Sequence, residues 1–218
     1  MLKKAIIVGA SGLIGNKLLH ILLQHSYYNE ILVLVRKELP MNHPKLIQLV
    51  VDFENLDKWS AAITGDVLFC CLGTTKAKSP DLKEYRRIDH DYPVKLGRIA
   101  KKNDIDQFHF ISAIGANAGS SSFYLKLKGD TEAELESLRL KSLQIYRPSL
   151  LTGNRKEKRL AEKVFTIVMK VVNPLLLGSF KKFRSIPATV VAMAMFKQSL
   201  KNEVGVFVHP TDKIKQLA

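Results

Sequence analysis

The sequence has only two cysteines, Cys70 and Cys71, and they are adjacent. Neighbouring thiols rarely close a disulfide, so a disulfide-stapled secreted scaffold is excluded and a reducing cytoplasm is the expected compartment. No run approaches the roughly 18 apolar residues of a membrane span, so no such span is predicted. Lys3 and Lys4 precede an apolar stretch, as in a signal peptide. Glycines interrupt that stretch, and we interpret it as a strand followed by a turn.

Acidic side chains are scarce in the second half of the chain. The protein carries 34 lysines and arginines against 20 aspartates and glutamates, a net charge of +14. Residues 139–201 contain 14 basic side chains and only two acidic ones, Glu157 and Glu162. Such a surface attracts phosphates, nucleic acid or anionic lipid. We expect a solvated basic surface without a specific nucleic-acid partner, and binding to polyanions is the alternative.

Metal-ligand patterns are also missing. The six histidines stand at no spacing that would combine them with cysteine or carboxylate ligands, so no metal site is expected. The 218 residues, of which 46% are hydrophobic and 25% charged, suit one ordinary globular domain.

The chain does contain a regular alternation of short apolar runs with longer amphipathic stretches. Strands that are apolar on both faces and alternate with helices indicate a parallel sheet covered on both sides. We therefore predict a doubly wound Rossmann-type α/β fold with a mostly parallel sheet of about seven strands and a small C-terminal cap. The predicted strands span residues 3–8, 31–36, 46–51, 67–72, 107–112, 143–147 and 204–208. The predicted helices span residues 13–24, 56–63, 80–103 with an interruption near Pro93, 123–141, 156–172 and 187–200.

A glycine-rich segment connects the first predicted strand to the first helix. Gly9, Gly12 and Gly15 have the spacing G-x-x-G-x-x-G. The first glycine permits a tight turn, the second lets the backbone approach a pyrophosphate, and the third lets the helix pack close to the strand. The free N–H groups of the helix N-terminus favour a phosphate there. The segment predicts a dinucleotide site on Gly9, Ser11, Gly12, Leu13, Ile14 and Gly15.

A cation stands where NAD-binding proteins carry a carboxylate. That carboxylate lies about 20 residues after the glycine motif and holds the ribose 2′-hydroxyl. Here Arg36 lies 21 residues after Gly15 and is followed by Lys37. A guanidinium suits a 2′-phosphate through paired, charge-assisted hydrogen bonds. We therefore predict NADP (NADPH) as the cofactor in preference to NAD.

These motifs, with Asp52-Phe53 after the third strand and CLGTT at Cys71–Thr75, resemble the short-chain dehydrogenase/reductase superfamily. More narrowly, they resemble its atypical, Tat-interacting-protein-like NAD(P)-binding branch. The resemblance implies that residues 1–148 form the dinucleotide-binding core of a single domain and residues 149–218 a small cap with the last helix and strand. It implies further cofactor contacts at Asp52, Phe53, Leu72, Gly73, Thr74, Lys128, Arg147 and Pro148. From the residues alone, Asp52 is also a common choice at a strand-end turn.

The superfamily's active site has a tyrosine and a lysine four residues apart on a helix, and a serine at the end of the preceding strand. Tyr124 and Lys128 have that spacing, and Ser112 ends the fifth predicted strand. Residues i and i+4 share a helix face, so both side chains can address one ligand. The resemblance implies that Tyr124 donates a proton to a carbonyl oxygen and that Ser112 hydrogen-bonds this oxygen. Lys128 would lower the pKa of the phenol and hold the nicotinamide ribose.

Three positions depart from the superfamily's pattern. Asp89 stands where the superfamily has an asparagine that supports a proton relay, Ala113 replaces the second serine of a common pair, and residues 120–122 are three serines directly before the helix of Tyr124. We predict an NADP-dependent oxidoreductase for a small carbonyl or alcohol. The alternatives are a non-catalytic NADP-binding regulator or redox sensor, and an association module built on residues 139–201. Both monomer and homodimer remain open.

Overall fold

The computed structural model describes residues 3–77, 79–152 and 184–218. The basic helix predicted over residues 156–172 lies outside the described residues. The strands are β1 (Lys4–Val8), β2 (Glu30–Val35), β3 (Leu46–Val50), β4 (Val67–Cys70), β5 (Gln107–Ile111), β6 (Ser142–Arg147), β7 (Leu151–Thr152), β8 (Ile186–Pro187) and β9 (Gly205–Pro210). The α-helices are α1 (Leu13–Gln24), α2 (Leu82–Arg86), α3 (Tyr92–Lys102), α4 (Phe123–Ser137), α5 (Ala188–Ser199) and α6 (Thr211–Leu217). A 3-10 helix spans Phe53–Ala62, and a π-helical turn spans Arg87–Asp91.

Seven strands form one sheet in the order β3-β2-β1-β4-β5-β6-β9, and every neighbouring pair is parallel. The inner strands β4 and β5 are buried at every residue. Their apolar character on both faces is what a sheet covered on two sides requires. The predicted doubly wound, Rossmann-type sheet of about seven strands is therefore confirmed.

Two hydrophobic cores lie on opposite faces of this sheet. Ile7 points into the core that contains Leu18 of α1 and Val191 of α5. Its neighbour Ile6 points into the other core, with Leu96 of α3 and Leu135 of α4. Successive strand residues face opposite sides, so each strand supplies both cores. This arrangement leaves the carboxyl ends of the strands as the natural place for a ligand.

Some predicted boundaries differ from the structure. The helix predicted over residues 80–103 is divided into α2, the π-helical turn and α3, and Pro93 lies in the first turn of α3. The helix predicted to reach residue 141 ends at Ser137, because Arg139 has a φ of 52°. The helix predicted near residues 56–63 is a 3-10 helix that begins at Phe53. Asp52 caps it, and this capping moves its start.

The end of the chain joins the main sheet. Strand β9 pairs along the whole of β6 as an edge strand, and α5 packs on α1. The last strand predicted for the cap is thus part of the seven-stranded sheet. Strands β7 and β8 form a separate parallel pair, and the short helix α6 follows β9.

Candidate active site

The glycine turn between β1 and α1 is closed so tightly that side chains are excluded from it. Gly9 has a φ of +88°, and a Cβ atom there would lie 2.6 Å from the carbonyl oxygen of Cys71. A Cβ atom on Gly15 would collide with the carbonyl oxygen of Gly9. The Gly12 N–H donates to that same oxygen at 2.9 Å. The turn therefore needs glycine both for its conformation and for the contact of α1 with β1.

The N-terminus of α1 is open to an anion. Gly12 is its N-cap residue and supplies no side-chain cap, and the first turn contains no acidic residue. The first N–H groups of a helix lack partners within the helix and carry the positive end of its dipole. Ser11 and Gly12 are exposed beside them, whereas Ile14 is buried in the core. A phosphate group fits this position.

Two cations stand at the carboxyl end of β2. Arg36 and Lys37 directly follow that strand, and both are exposed. Within residues 3–77, 79–152 and 184–218, neither makes an ion pair or a hydrogen bond. Their charges are therefore available to a ligand at this end of the sheet, as the sequence predicts for a 2′-phosphate.

Asp52 and Phe53 have clear structural roles. The Asp52 carboxylate accepts hydrogen bonds from the Asn55 side chain at 2.6 Å and the Glu54 N–H at 3.0 Å. These two bonds lower the pKa of Asp52. Phe53 is buried, with its ring centroid 5.5 Å from that of Tyr92. Their contact with an adenine stays a prediction.

The loop after β4 is tied to the π-helical turn. The Thr74 N–H donates to Asp89 Oδ2 at 2.8 Å, and the Tyr85 hydroxyl donates to the Thr74 carbonyl at 3.3 Å. Leu72 is half-buried, and Gly73 is exposed. Asp89, which replaces the superfamily's asparagine, thus holds the backbone of the loop predicted to pass along the cofactor ribose.

Lys128 is buried and paired. Its ammonium lies 2.9 Å from Asp89 Oδ1, donates to the Ile111 carbonyl at 3.2 Å, and stands 4.9 Å from the centre of the Phe110 ring. Burial lowers the pKa of Lys128, but the charge and hydrogen bond of Asp89, together with Tyr124 and Cys70, outweigh this, so the pKa lies above its usual value. The ammonium is therefore charged and fixed at the carboxyl end of β5.

Ser112 lies at this same strand end, and Tyr124 lies on the helix that carries Lys128. Ser112 follows β5 directly, and its Oγ is buried without a hydrogen-bond partner among the described residues. Tyr124 lies in the first turn of α4 with 38% of its surface exposed. Burial raises the pKa of its phenol, Lys128 lowers it, and Asp89 raises it further, so the pKa lies above 10. The net direction is opposite to the one that Lys128 alone would give.

Arg147 and Pro148 contribute mainly through the backbone. The Arg147 guanidinium forms a two-point ion pair with the buried Glu132 of α4, with one hydrogen bond of 3.0 Å from Nε to Oε1. This pairing raises the pKa of Arg147. Pro148 is buried, and its carbonyl accepts the Ile114 N–H at 3.0 Å. Because the Arg147 side chain is paired with Glu132, the predicted contact of this segment with a nicotinamide involves its main-chain groups, and it stays a prediction.

An aromatic cluster beside the phenol was missed by the sequence reasoning. The Tyr85 ring is buried and meets the rings of Phe123 and Tyr124 edge-on, at centroid distances of 5.7 and 6.4 Å. Tyr85 lies four residues before Asp89, a spacing that places both on one side of a helical segment. That spacing indicates only that Tyr85 and Asp89 lie on one side of their segment, and it does not show that Tyr85 contacts α4.

Taken together, these residues fit a dinucleotide. The glycine turn lets α1 begin directly against the end of β1, and α1 presents an uncapped N-terminus. The side chains of Arg36, Lys37 and Ser112 lack partners among the described residues. Residues 3–77, 79–152 and 184–218 contain no group of three or more His, Cys, Asp or Glu side chains that could hold a metal ion. No helix among these residues is long and apolar enough to cross a membrane.

Known proteins are similar to this chain in sequence. The family model described as NAD(P)H-binding matches residues 9–164. The protein HTATIP2 of Rattus norvegicus is 37% identical over 171 residues, which cover 75% of this chain and 70% of that protein. The protein FMP52, mitochondrial, of Eremothecium gossypii is 34% identical over 153 residues, which cover 69% of this chain and 67% of that protein.

Solved structures share the fold at low identity. The Bordetella bronchiseptica enzyme WbmH in complex with NAD+ matches with a TM-score of 0.73 and 15% identity, over 96% of this chain and 75% of that chain. A UDP-N-acetylglucosamine 4-epimerase from Methanobrevibacter ruminantium matches with a TM-score of 0.71 and 16% identity, over 96% and 76%. The chain belongs to the NAD(P)H-binding family, as an atypical short-chain dehydrogenase/reductase with HTATIP2-like relatives.

Proposed function

We propose that this protein is an NADP-dependent oxidoreductase that acts on a small carbonyl or alcohol. The observation that carries the proposal is that Ser112 and Lys128 lie at the carboxyl end of β5, and that Tyr124 stands on the helix of Lys128 and is acted on by its charge. Ser112 follows that strand, Lys128 bonds its last carbonyl, and Tyr124 lies one helical turn before Lys128. The glycine turn opens at the same edge of the sheet.

The cofactor would be held from both ends. The glycine turn and the α1 N-terminus would bind the pyrophosphate, and Arg36 with Lys37 would bind the 2′-phosphate. Residues 72–74 and the main chain at 147–148 would line the ribose and the nicotinamide. A reduced nicotinamide supplies a hydride to a carbonyl carbon.

Residues of this chain would supply the proton and orient the carbonyl group. Tyr124, whose phenol is protonated at neutral pH, would donate its proton to the carbonyl oxygen. The Ser112 hydroxyl, which has no other partner among the described residues, would hydrogen-bond the same oxygen. Two of the three N–H donors of Lys128 serve Asp89 and Ile111, so one donor is left for the cofactor ribose.

The choice of NADP rests on charge. Arg36 and Lys37 are the exposed cations at the end of β2, and no carboxylate stands at that strand end to hold a ribose 2′-hydroxyl. For the compartment we propose the cytoplasm, because both cysteines are free thiols. The FMP52 relatives are mitochondrial by name, so a reducing mitochondrial compartment is the alternative.

The test is turnover of NADPH with a panel of small aldehydes, ketones and quinones. The wild-type protein is expected to oxidise NADPH with at least one of them, and Tyr124→Phe to be slower by about 100-fold or more, the usual worth of general acid catalysis. Tyr27→Phe is the matched control, because Tyr27 lies before β2 at the opposite edge of the sheet. Equal rates for wild type and Tyr124→Phe would refute the catalytic role.

A non-catalytic NADP-binding regulator or redox sensor is the second candidate. The buried pairing of Asp89 with Lys128 favours it, because it reduces the help that Lys128 gives to ionisation of Tyr124. Micromolar or tighter NADPH binding without turnover on the whole panel would support this candidate. Turnover that depends on Tyr124 would exclude it.

A further inference from the structure

Asp89 is placed to control the charge around the phenol of Tyr124. Its carboxylate is 1% exposed and lies 2.9 Å from the Lys128 ammonium. Its second oxygen accepts the Thr74 N–H at 2.8 Å, and its carbonyl accepts the Thr131 hydroxyl at 3.2 Å. One contact on each oxygen therefore holds the carboxylate, and the Thr131 bond holds the Asp89 main chain. A buried ion pair this close leaves little net charge for a neighbouring group to feel.

The titratable groups that face this site come from four elements. Tyr85 of α2 contacts the Tyr124 ring edge-on, and Asp89 of the π-helical turn and Lys128 of α4 act on the phenol through their charges. Cys70 of β4 also acts on Lys128, and burial raises the pKa of this thiol to about 12. Burial also raises the pKa of the Tyr85 phenol, so the thiol and this phenol are neutral near pH 7. Among the described residues, Asp89 and Lys128 are the charges that act on Tyr124, in addition to burial, which raises its pKa most.

We propose that Asp89 is a positioning residue that offsets the charge of Lys128, so that Tyr124 stays protonated near neutral pH and can give its proton in carbonyl reduction. This rests on the proposed function. In reduction a C–H bond of the reduced nicotinamide would break and its hydride would go to the carbonyl carbon as the carbonyl π bond breaks, which would leave the nicotinamide oxidised. The carbonyl oxygen would take the Tyr124 proton, and solvent water would then reprotonate the phenolate.

The test is an ultraviolet titration of Tyr124 in the protein without cofactor. The phenolate signal of Tyr124 is isolated as the difference between wild type and Tyr124→Phe. We expect wild-type Tyr124 to ionise above pH ~10, the value of a free phenol, and Tyr124 in Asp89→Asn to ionise at least about one pH unit lower. Asp130→Asn is the control, because it removes a half-buried carboxylate of α4 that pairs with Lys126. It should leave the titration unchanged.

The double variant Asp89→Asn with Lys128→Met separates charge from structure. It leaves the site neutral, so Tyr124 should ionise within about half a pH unit of wild type, whereas Lys128→Met alone should raise the midpoint. These two variants carry the test if Asp89→Asn does not fold. An unchanged midpoint in Asp89→Asn, a double variant that stays low, or a Lys128→Met midpoint at or below wild type would overturn the proposal.

A second arm uses activity. The alkaline limb of the rate–pH profile of carbonyl reduction should move to lower pH in Asp89→Asn by as much as the phenol midpoint does. An alkaline limb that stays in place while the phenol midpoint shifts would overturn the link between Asp89 and proton donation. Absence of turnover in every variant would instead count against the proposed function, while the titration would still decide the electrostatic role of Asp89.

Discussion

Arg36 is the residue on which cofactor preference depends. Its guanidinium is exposed at the end of β2 and makes no ion pair with the described part of the chain. One charge-assisted pair to a 2′-phosphate is worth about 1.5–3 kcal/mol, or roughly 10- to 150-fold in affinity. Arg36→Ala should therefore weaken NADPH binding by this factor and leave NADH binding unchanged. Calorimetry measures both.

Lys102→Ala is the control for charge, since Lys102 is exposed at the end of α3, far along the chain from the glycine turn. It should change neither affinity. Equal binding of NADPH and NADH by the wild-type protein would contradict the assignment of NADP.

Substitution of Gly15 tests whether the close contact between α1 and the glycine turn is needed for cofactor binding. A methyl group at Gly15 would meet the backbone carbonyl of Gly9, directly after β1. Overpacking of this kind costs about 1–3 kcal/mol, so Gly15→Ala should lower the melting temperature and abolish NADPH binding. Gly119→Ala is the matched control, because its Cβ would find its nearest atom, Asn117 Oδ1, at 3.4 Å. Wild-type NADPH affinity in Gly15→Ala would show that the turn is not the binding site.

At the scale of residues, the sequence predicted which side chains belong to the candidate site, but it did not predict which residues these side chains contact. The glycine spacing and the i, i+4 pair are local patterns, and local patterns survive folding. The Asp89–Lys128 pair and the Tyr85 contacts join segments about 40 residues apart in the chain, so no local spacing reveals them. Lys128 lowers the Tyr124 pKa as predicted, but burial and Asp89 raise it, and these are tertiary effects that no local spacing shows.

At the scale of elements, a polar network crosses the buried strands β5, β6 and β9. His109 Nδ1 lies 3.0 Å from the Tyr146 hydroxyl, and His209 Nε2 lies 2.6 Å from Gln144 Oε1. Burial lowers the pKa of His109 to about 3 and that of His209 to about 4. Both rings are thus neutral in the folded protein over most of the acidic range.

This network predicts a loss of stability in mild acid. The unfolded histidines bind protons below pH ~6.5, whereas the folded ones do so only near pH 3 to 4. The contribution of the two histidines to the free energy of unfolding is therefore fully present above pH ~6.5. It falls as the pH is lowered, by about 1.4 kcal/mol per pH unit for each histidine. Urea unfolding between pH ~7.5 and ~4.5 measures this slope.

His109→Gln should reduce the slope by about half. His20→Gln should not change it, because His20 is an exposed residue of α1. A free energy of unfolding that stays constant across this pH range would contradict the buried, neutral state of the two histidines.

The elements themselves were largely predictable. The apolar runs predicted the bounds of β1, β4 and β5 to within one or two residues, and α1 has the predicted span. The errors fall where tertiary contacts decide, as at the π-helical turn that presents Asp89 to Lys128 and at the Asp52 cap of the 3-10 helix. The pairing of β9 with β6 joins distant parts of the chain and has no local signal beyond the strand itself.

At the scale of the whole molecule, the net charge of +14 predicts only general attraction to polyanions. If the basic residues of 139–201 are a solvated surface, binding to duplex DNA should fall steeply with salt and vanish near ~150 mM. Fluorescence anisotropy across a salt series measures this. Micromolar binding that persists at that salt concentration would support an association module instead.

The central claim, hydride transfer to a carbonyl with a proton from Tyr124, is tested most directly by isotope transfer. NADPH deuterated at the nicotinamide C4 is incubated with the best carbonyl substrate of the panel, and the product is analysed by mass spectrometry and NMR. The account predicts an alcohol with deuterium on the former carbonyl carbon, formed about 100-fold or more slowly by Tyr124→Phe. An alcohol without deuterium, or an equal rate in Tyr124→Phe, would contradict it.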